Sequence, residues 1–464
     1  MVDSQRPSAR GDSSFRREPP AAETQLVFVP PQIQETRLSN GLRILWAERH
    51  HMPIVALQIV VDRSFDLQNA PGIATLTAAM MFTGTESRTA LTLSDDLEVI
   101  GARAGAWADK DGMGVSGQVL QNQFPDLLEI LADVVRRPSF SAEELERERA
   151  KRLSLLAAER DVPDSLLEDT VEAILYPEGH PFHAPALGDE ASIGAVQVED
   201  LRRLHQLAFR PAHATVAIAG DIDPAVAIEH IEKYLGDWTG AEVPRKTPPE
   251  PRILTKSEPR VYLLDRPGAS QSNVTVALVG ISRKNQDYDA AMVLNTLFGG
   301  QFSSRLNMNL REKHAYSYGA YSLLAPRKWA GPWTAGGAVT TSATASAIRE
   351  IFIEIERLRN ELVPEVELSN AKTNLIRKLP SRFETAAGTV QALASLSSMD
   401  LPLDSFALRQ SRAARVTAED VLRVARTYLR PDDMRIFVVG DAALVRDDLE
   451  KLELGPIEVR STQS

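Results

Sequence analysis

The chain contains one substantial segment twice. Leu207-Ala208-Phe209-Arg210-Pro211, the apolar run Val216-Ala217-Ile218-Ala219 and the pair Gly220-Asp221 return as Thr427-Tyr428-Leu429-Arg430-Pro431, Ile436-Phe437-Val438-Val439 and Gly440-Asp441, each 220 positions later. Each copy ends a helical pattern at Arg-Pro, runs an apolar strand and closes on Gly-Asp before another helical pattern, so each half carries the same helix-and-sheet unit. With 464 residues the chain is also too long for one typical core, and two domains of about 200 residues are expected. Period-two strands joined by hairpin signals, mixed with long amphipathic helices, specify an α+β fold. It consists of two tandem homologous domains, each of helices packed on a largely antiparallel sheet.

Punctuation in the sequence sets the boundaries. Residues 1–31 mix Ser, Arg, Glu and Pro without periodicity and end in Pro30-Pro31, which reads as a disordered extension. Residues 32–240 form the N-terminal domain. It opens with the hairpin turn Ser39-Asn40-Gly41, a strand from Leu42 to Trp46 and a second from Ile54 to Val61. Pro244, Pro248, Pro249 and Pro251 mark residues 241–258 as a linker, and 259–464 form the C-terminal domain.

Charge and composition exclude several classes. A net charge of −11 disfavours a nucleic-acid backbone or an anionic membrane as partner, since both reward basic surfaces. With no cysteine there is no disulfide, thiol catalysis or thiolate metal site. The longest apolar run, near Pro53 to Val61, is far too short to span a bilayer, and the N-terminus lacks the apolar core of a signal peptide. No membrane span is expected. The chain reads as cytoplasmic, or periplasmic if a leader has been removed.

Residues 71 to 84 carry an amphipathic helix, with Pro71 in its first turn, Ile73, Leu76, Met80 and Met81 on one apolar stripe, and Gly84 as a stop. Alone, that helix signals no chemistry. Its distant companions do: the acidic and basic run Glu146-Arg147-Glu148-Arg149, and Leu310-Arg311-Glu312-Lys313-His314-Ala315-Tyr316-Ser317-Tyr318. Together they resemble the pitrilysin/insulinase (inverzincin) family of zinc peptidases, whose helix runs close to G-L-A-H-F-L-E-H-M-L-F-K-G-T and whose second half carries L-R-E-K-x-G-L-A-Y. The resemblance takes in the Asn40-Gly41 turn, His180-Pro181-Phe182-His183-Ala184-Pro185-Ala186-Leu187-Gly188 and the Gly-Asp strand ends, and spans roughly residues 35 to 455. Laid on the family pattern, the two His ligands fall on Thr75 and Ala79, the Glu base on Ala78 and the third ligand on Leu155. A hydroxyl and three aliphatic side chains cannot hold zinc, which needs deprotonated N, O or S donors.

The resemblance is to the two-domain, processing-peptidase-like branch, whose members pair as clamshells, and within it to the non-zinc subunit lacking H-x-x-E-H. It implies that Arg311 and Tyr318 reach a partner's zinc centre, bind the substrate backbone and stabilise the oxyanion, roles that suit a permanent guanidinium and a neutral phenol donor. The pair read without that context would be an Arg closing a helix and a Tyr packed in a strand. Ala315 stands where the family has Gly, and Tyr316 where Leu is common. Gly101 to Asp109, with Ala104 and Ala106, aligns with the edge strand that pairs with substrate, though it also reads as a small-residue strand under a helix.

No cofactor is expected in this chain, and zinc is expected in a homologous partner with an intact H-x-x-E-H. His180 and His183 flank a proline, His50-His51 has Glu48 nearby but no third ligand in register, and Gly299-Gly300 lacks the Lys-Ser/Thr of a phosphate loop. None of these three is expected to act. The expected function is that of the non-zinc subunit of a heterodimeric zinc metalloendopeptidase acting on peptides. The alternative is an inert scaffolding homologue.

Overall fold

The computed structural model describes residues 28–62, 70–240 and 243–462. Most of the anticipated N-terminal extension, residues 1–27, lies outside the described residues, as do 241 and 242 of the linker. Order is present from Phe28, ahead of Pro30-Pro31: its ring meets that of Phe383 at 5.7 Å and its N–H reaches Gln410.

The first half contributes strands β1 (Gln34–Arg37), β2 (Arg43–Glu48), β3 (Ile54–Asp62), β4 (Arg103–Ala108), β5 (Gly112–Leu120) and β6 (Ala214–Gly220). Its helices are α1 (Ile73–Met81), α2 (Ala90–Val99), α3 (Phe124–Arg136), α4 (Ala142–Glu159), α5 (Pro163–Leu175), α6 (Glu190–Ala195), α7 (Val198–Ala208) and α8 (Pro224–Leu235). No helix or strand occurs from Val243 to Arg260. The second half contributes β7 (Val261–Asp265), β8 (Gln271–Val279), β9 (Tyr321–Leu324), β10 (Pro332–Thr340), β11 (Arg435–Gly440) and β12 (Ile457–Ser461). Its helices are α9 (Tyr288–Asn295), α10 (Thr344–Asn360), α11 (Glu365–Arg377), α12 (Ala386–Ser398), α13 (Ser405–Arg415), α14 (Ala418–Tyr428) and α15 (Ala442–Glu450).

Two six-stranded sheets result, ordered β1-β2-β6-β3-β5-β4 and β12-β7-β11-β8-β10-β9. Both are largely antiparallel, with β2–β6, β7–β11 and β7–β12 parallel. The repeat appears here as geometry. In the first sheet Gln58 lies opposite Ser116, and in the second Thr275 lies opposite Gly336 at the matching position of the same hairpin-like pair. The repeated helices α7 and α14 both start where an aspartate reaches back to the N-cap N–H, Asp200 to Gln197 at 3.0 Å and Asp420 to Thr417 at 3.1 Å. The strand Ile54 to Val61 does not sit beside β2, because β6 is inserted between them.

One face of each sheet carries its own domain's helices. In the first half Leu57, Ile59 and Val115 pack against Leu76, Leu127, Leu131 and Leu204, all 0% exposed. Each such side chain contributes roughly 1.5–3 kcal/mol by leaving water. The opposite faces are covered by exchange between the halves. Helix α5 lays Leu167, Val171 and Leu175 on Tyr262, Leu264, Ala277, Phe437 and Val439 of the second sheet. Helix α12, its counterpart in the repeat, lays Val390, Leu393 and Ala394 on Leu45, Ala56, Val60 and Ala217 of the first. Polar pairs fix both placements: Gln58 Nε2 donates to Gln391 Oε1 at 2.9 Å, and Asn273 Nδ2 to Asp164 Oδ1 at 2.8 Å.

The hairpin tips also meet. Asp111 accepts from the Lys328 N–H at 3.1 Å and from Arg327 at 3.3 Å, while Lys110 is buried against Glu172 of α5. Among the described residues no helix is long and apolar enough to cross a membrane.

Candidate functional site

Helix α1 begins at Gly72, whose φ of +78° is open to glycine and strained for other residues. A Cβ there would lie 2.5 Å from the Leu187 carbonyl oxygen, so the 186–188 loop presses directly on the start of the helix. Ile73, Leu76, Met80 and Met81 are buried as the apolar stripe requires. The remaining face turns toward α4 and carries the positions that the family pattern assigns to zinc.

Thr75 Oγ1 lies 2.9 Å from the carbonyl oxygens of both Gly72 and Ala186, and accepts a hydrogen bond from Arg152 Nη1 at 2.7 Å. Arg152 Nη1 is also 3.4 Å from the Leu187 carbonyl. Ala78 is 2% exposed, Ala79 half-buried and Leu155 exposed. Burial lowers the Arg152 guanidinium from its ordinary range, against the pull of Glu148 and Glu159. A dication does not fit this place: the four positions offer one neutral hydroxyl already engaged, and a permanent cation stands within hydrogen-bond reach of it. Among the described residues no group of three or more His, Asp and Glu side chains is placed to hold a metal ion.

Arg152 is the residue that the reading of the sequence missed. It lies three positions before Leu155 and therefore on the same face of α4. That spacing was the available signal.

Strand β4 is an edge of the first sheet, paired with β5 on one side only, with Ala104 opposite Gly117 and Ala106 opposite Val115. Both alanines are half-buried against the first core, on the face where α1 packs. The strand is thus both an open edge and a small-residue strand under a helix. A cleft of about 420 Å³ runs beside it, bounded by Arg103, Ala104, Gly105 and Gln58 and by Ala387, Val390 and Gln391 of α12.

Arg311 and Tyr318 sit in the second half, on and after a π-helical turn, Asn307–Lys313. The Arg311 guanidinium stacks over the Phe302 ring at 4.7 Å and lies 3.5 Å from Glu312. The chain then reverses through Ala315, whose φ of +52° is the left-handed conformation that explains a family glycine here. Hydrogen bonds brace the turn with alanine in place. Tyr316 N–H donates to the Leu310 carbonyl at 2.8 Å, Thr340 N–H to the Tyr316 carbonyl at 2.9 Å, and Ala320 N–H to Asn307 Oδ1 at 2.9 Å. The Ser317 hydroxyl donates to the Gly319 carbonyl at 2.6 Å. On this braced loop Tyr318 is 92% exposed, and its hydroxyl has no hydrogen-bond partner among the described residues. No hydrogen bond or ion pair joins Arg311 or Tyr318 to each other, to α1 or to β4 among the described residues.

His180 is buried against the Tyr176 ring at 4.5 Å, with burial lowering its pKa to about 4, and His183 Nδ1 lies 2.8 Å from the Tyr176 carbonyl. Both are structural. His50 is an exposed loop residue paired with Asp221 at 2.7 Å.

A family model described as "Insulinase (Peptidase family M16)" matches residues 44–185, and one described as "Peptidase M16 inactive domain" matches residues 195–375. A protein of Mycobacterium tuberculosis (strain ATCC 25618 / H37Rv) that is named an uncharacterized zinc protease is 26% identical over 403 residues, 85% of this chain and 90% of its own. The crystal structure of a peptidase M16 inactive domain from Pseudomonas fluorescens superposes with a TM-score of 0.81 at 25% identity, covering 88% of this chain and 98% of that one. A protease from Helicobacter pylori shares the fold, with a TM-score of 0.78 at 18% identity over 88% of this chain and 99% of its own.

Proposed function

The chain belongs to the insulinase-type M16 peptidase family, and we propose that it acts there as the non-zinc subunit of a heteromeric metalloendopeptidase. In this reading a homologous subunit with an intact H-x-x-E-H supplies zinc, and this chain supplies Arg311 and Tyr318 across the cleft between them. The observation that carries the reading is the pairing of a disabled zinc helix with a solvent-presented Tyr318 on a braced loop. A phenol that packs nowhere in its own chain is available to a substrate held by another. Arg311 adds a cationic group seven positions earlier in the chain, stacked on Phe302. Both groups suit a developing oxyanion on a peptide carbonyl: a guanidinium is a forked cationic donor, and a phenol donates a hydrogen bond without carrying charge. The open edge of β4, with Ala104 and Ala106, suits an extended peptide backbone.

The test is reconstitution with a zinc-bearing homologue from the same source. Co-purification of the two chains is expected, with peptide cleavage only by the pair. Tyr318→Phe and Arg311→Ala should leave assembly intact and lower kcat by roughly 10²-fold, as loss of an oxyanion donor does, with a smaller change in KM. A scaffold would show no loss of rate on Tyr318→Phe, which removes a single oxygen, and that result would reject the proposal.

A further inference from the structure

The second half also holds a group of like charges to which the family's chemistry gives no role. Arg283 follows β8, Arg382 lies in the Pro380–Phe383 turn, and Arg409 and Arg412 lie on α13. Side-chain contacts bring these elements together. Phe383 meets Phe406 of α13 edge to face at 5.3 Å, and Arg409 follows Phe406 by one helical turn. Arg412 reaches Asp289 of α9 at 3.9 Å, and the Arg283 guanidinium stacks over the ring of the adjacent Tyr288 at 4.2 Å.

The group is uncompensated. Among the described residues Arg283, Arg382 and Arg409 form no ion pair and no side-chain hydrogen bond, and Asp289 is the sole carboxylate within ion-pair reach of the four. This happens in a chain whose overall charge is −11, so the cluster runs against the molecule's own composition. Burial lowers the Arg283 and Arg382 guanidiniums, with Arg409 adding to it, yet guanidinium groups stay charged at neutral pH. Tyr288 lies among them. It is 2% exposed, and its hydroxyl has no hydrogen-bond partner among the described residues. Burial raises this phenol while Arg283, Arg409 and Arg382 all oppose the rise. Guanidinium groups gathered around an unpartnered phenol repel one another until an anion joins them.

We propose that Arg283, Arg382, Arg409 and the Tyr288 hydroxyl form a binding site for a phosphate-type oxyanion, either free phosphate or the phosphoryl group of a small molecule. Forked guanidinium donors and one O–H match the several acceptor oxygens of a tetrahedral dianion, and each bond is charge-assisted.

Calorimetric titration of the full chain with inorganic phosphate tests this, with ionic strength held constant by sodium chloride. Saturable binding of one phosphate per chain is expected. Arg409→Gln should weaken it about tenfold or more, as loss of a charge-assisted bond does. Tyr288→Phe should weaken it several-fold, and Arg446→Gln, a surface change on α15, should leave it unaltered. A parallel titration with glycerol phosphate separates the two sources: tighter binding than phosphate assigns the site to a phosphoester, weaker binding to the free ion. The proposal is overturned if neither ligand gives saturable heat, or if Arg409→Gln binds as the parent does. It is equally overturned if Arg409→Gln raises the melting temperature in chloride while phosphate leaves the parent unchanged, because the cluster is then self-repelling and nothing more.

Discussion

Replacing Leu393 by alanine should unfold the wrong half of the sequence. Leu393 belongs to α12, deep in the C-terminal half, yet it is 0% exposed against Leu45, Ala56, Val60 and Ala217 of the first sheet. Truncation forfeits the transfer free energy of the lost carbons and leaves a cavity, a combination that costs 2–5 kcal/mol across buried Leu→Ala changes. Here much of the floor is alanine, including Ala47 and Ala219, and an alanine has no side-chain torsion with which to fill the void. The cost should therefore fall in the upper part of that range, about 3–5 kcal/mol. Hydrogen exchange followed by mass spectrometry locates the damage. Amides of β3 and β6 should lose protection while β8 and β11 keep theirs, and the mirror change Leu167→Ala on α5 should do the reverse. If Leu393→Ala loosened β8 and β11 and spared the first sheet, the exchange of helices between the halves would be refuted.

Three further outcomes are expected. The isolated chain should carry no stoichiometric zinc, because Thr75, Ala78, Ala79 and Leu155 offer no ligand set beside Arg152; about one equivalent surviving dialysis, measured by metal analysis, would contradict this. Ala315→Gly relieves an L-residue at φ +52° and should raise stability by about 0.5–1 kcal/mol after the extra freedom of the unfolded chain is deducted; an unchanged or lower urea midpoint would show the turn to be unstrained. Burial raises the Asp169 carboxyl to about 6 from 3.8, despite the attraction of Lys110, so the folded state holds this proton more tightly than the unfolded one and stability falls as pH climbs from about 4 to about 6. Asp169→Asn should then flatten that part of the profile and gain up to about 2–3 kcal/mol at pH 8, less what water screens; urea titrations at pH 5 and pH 8 that keep the parent's difference would exclude the effect.

The parts of the site that were legible in the sequence are those that depend on residue identity or on local period. The stripe Ile73, Leu76, Met80 and Met81 is buried because a helix places every third or fourth residue on one side, whatever it packs against. That Thr75, Ala78, Ala79 and Leu155 offer no set of zinc donors was legible because donor atoms are covalent facts. The departure at Ala315 from the family's glycine was legible, whereas the left-handed backbone it adopts, φ +52°, came only from the structure. Arg152 escaped notice because its role depends on how α4 docks on α1, across 77 residues of sequence that no periodicity links. Phe28 escaped for a similar reason, as part of a short apolar run, Leu26 to Val29, without helical or strand periodicity around it, whose anchor, Phe383, is supplied from the far half.

The sequence by itself determined that there are two homologous halves, where the helix after Pro71 and the repeated Gly-Asp strands lie, and that Thr75, Ala78, Ala79 and Leu155 carry no set of zinc donors. The helices α5 and α12 each carry one apolar face. Which sheet each helix covers was decided only by the tertiary structure. Burial of apolar surface has no direction of its own, and both sheets present an apolar outer face of similar extent, Leu45, Ala56, Val60 and Ala217 in one, Leu264, Ala277, Phe437 and Val439 in the other. Either helix satisfies the hydrophobic effect on either sheet. The choice rests on contacts that exist only once both halves are assembled: Gln58 with Gln391, Asn273 with Asp164, and the hairpin tips that join Asp111 to Arg327 and Lys328.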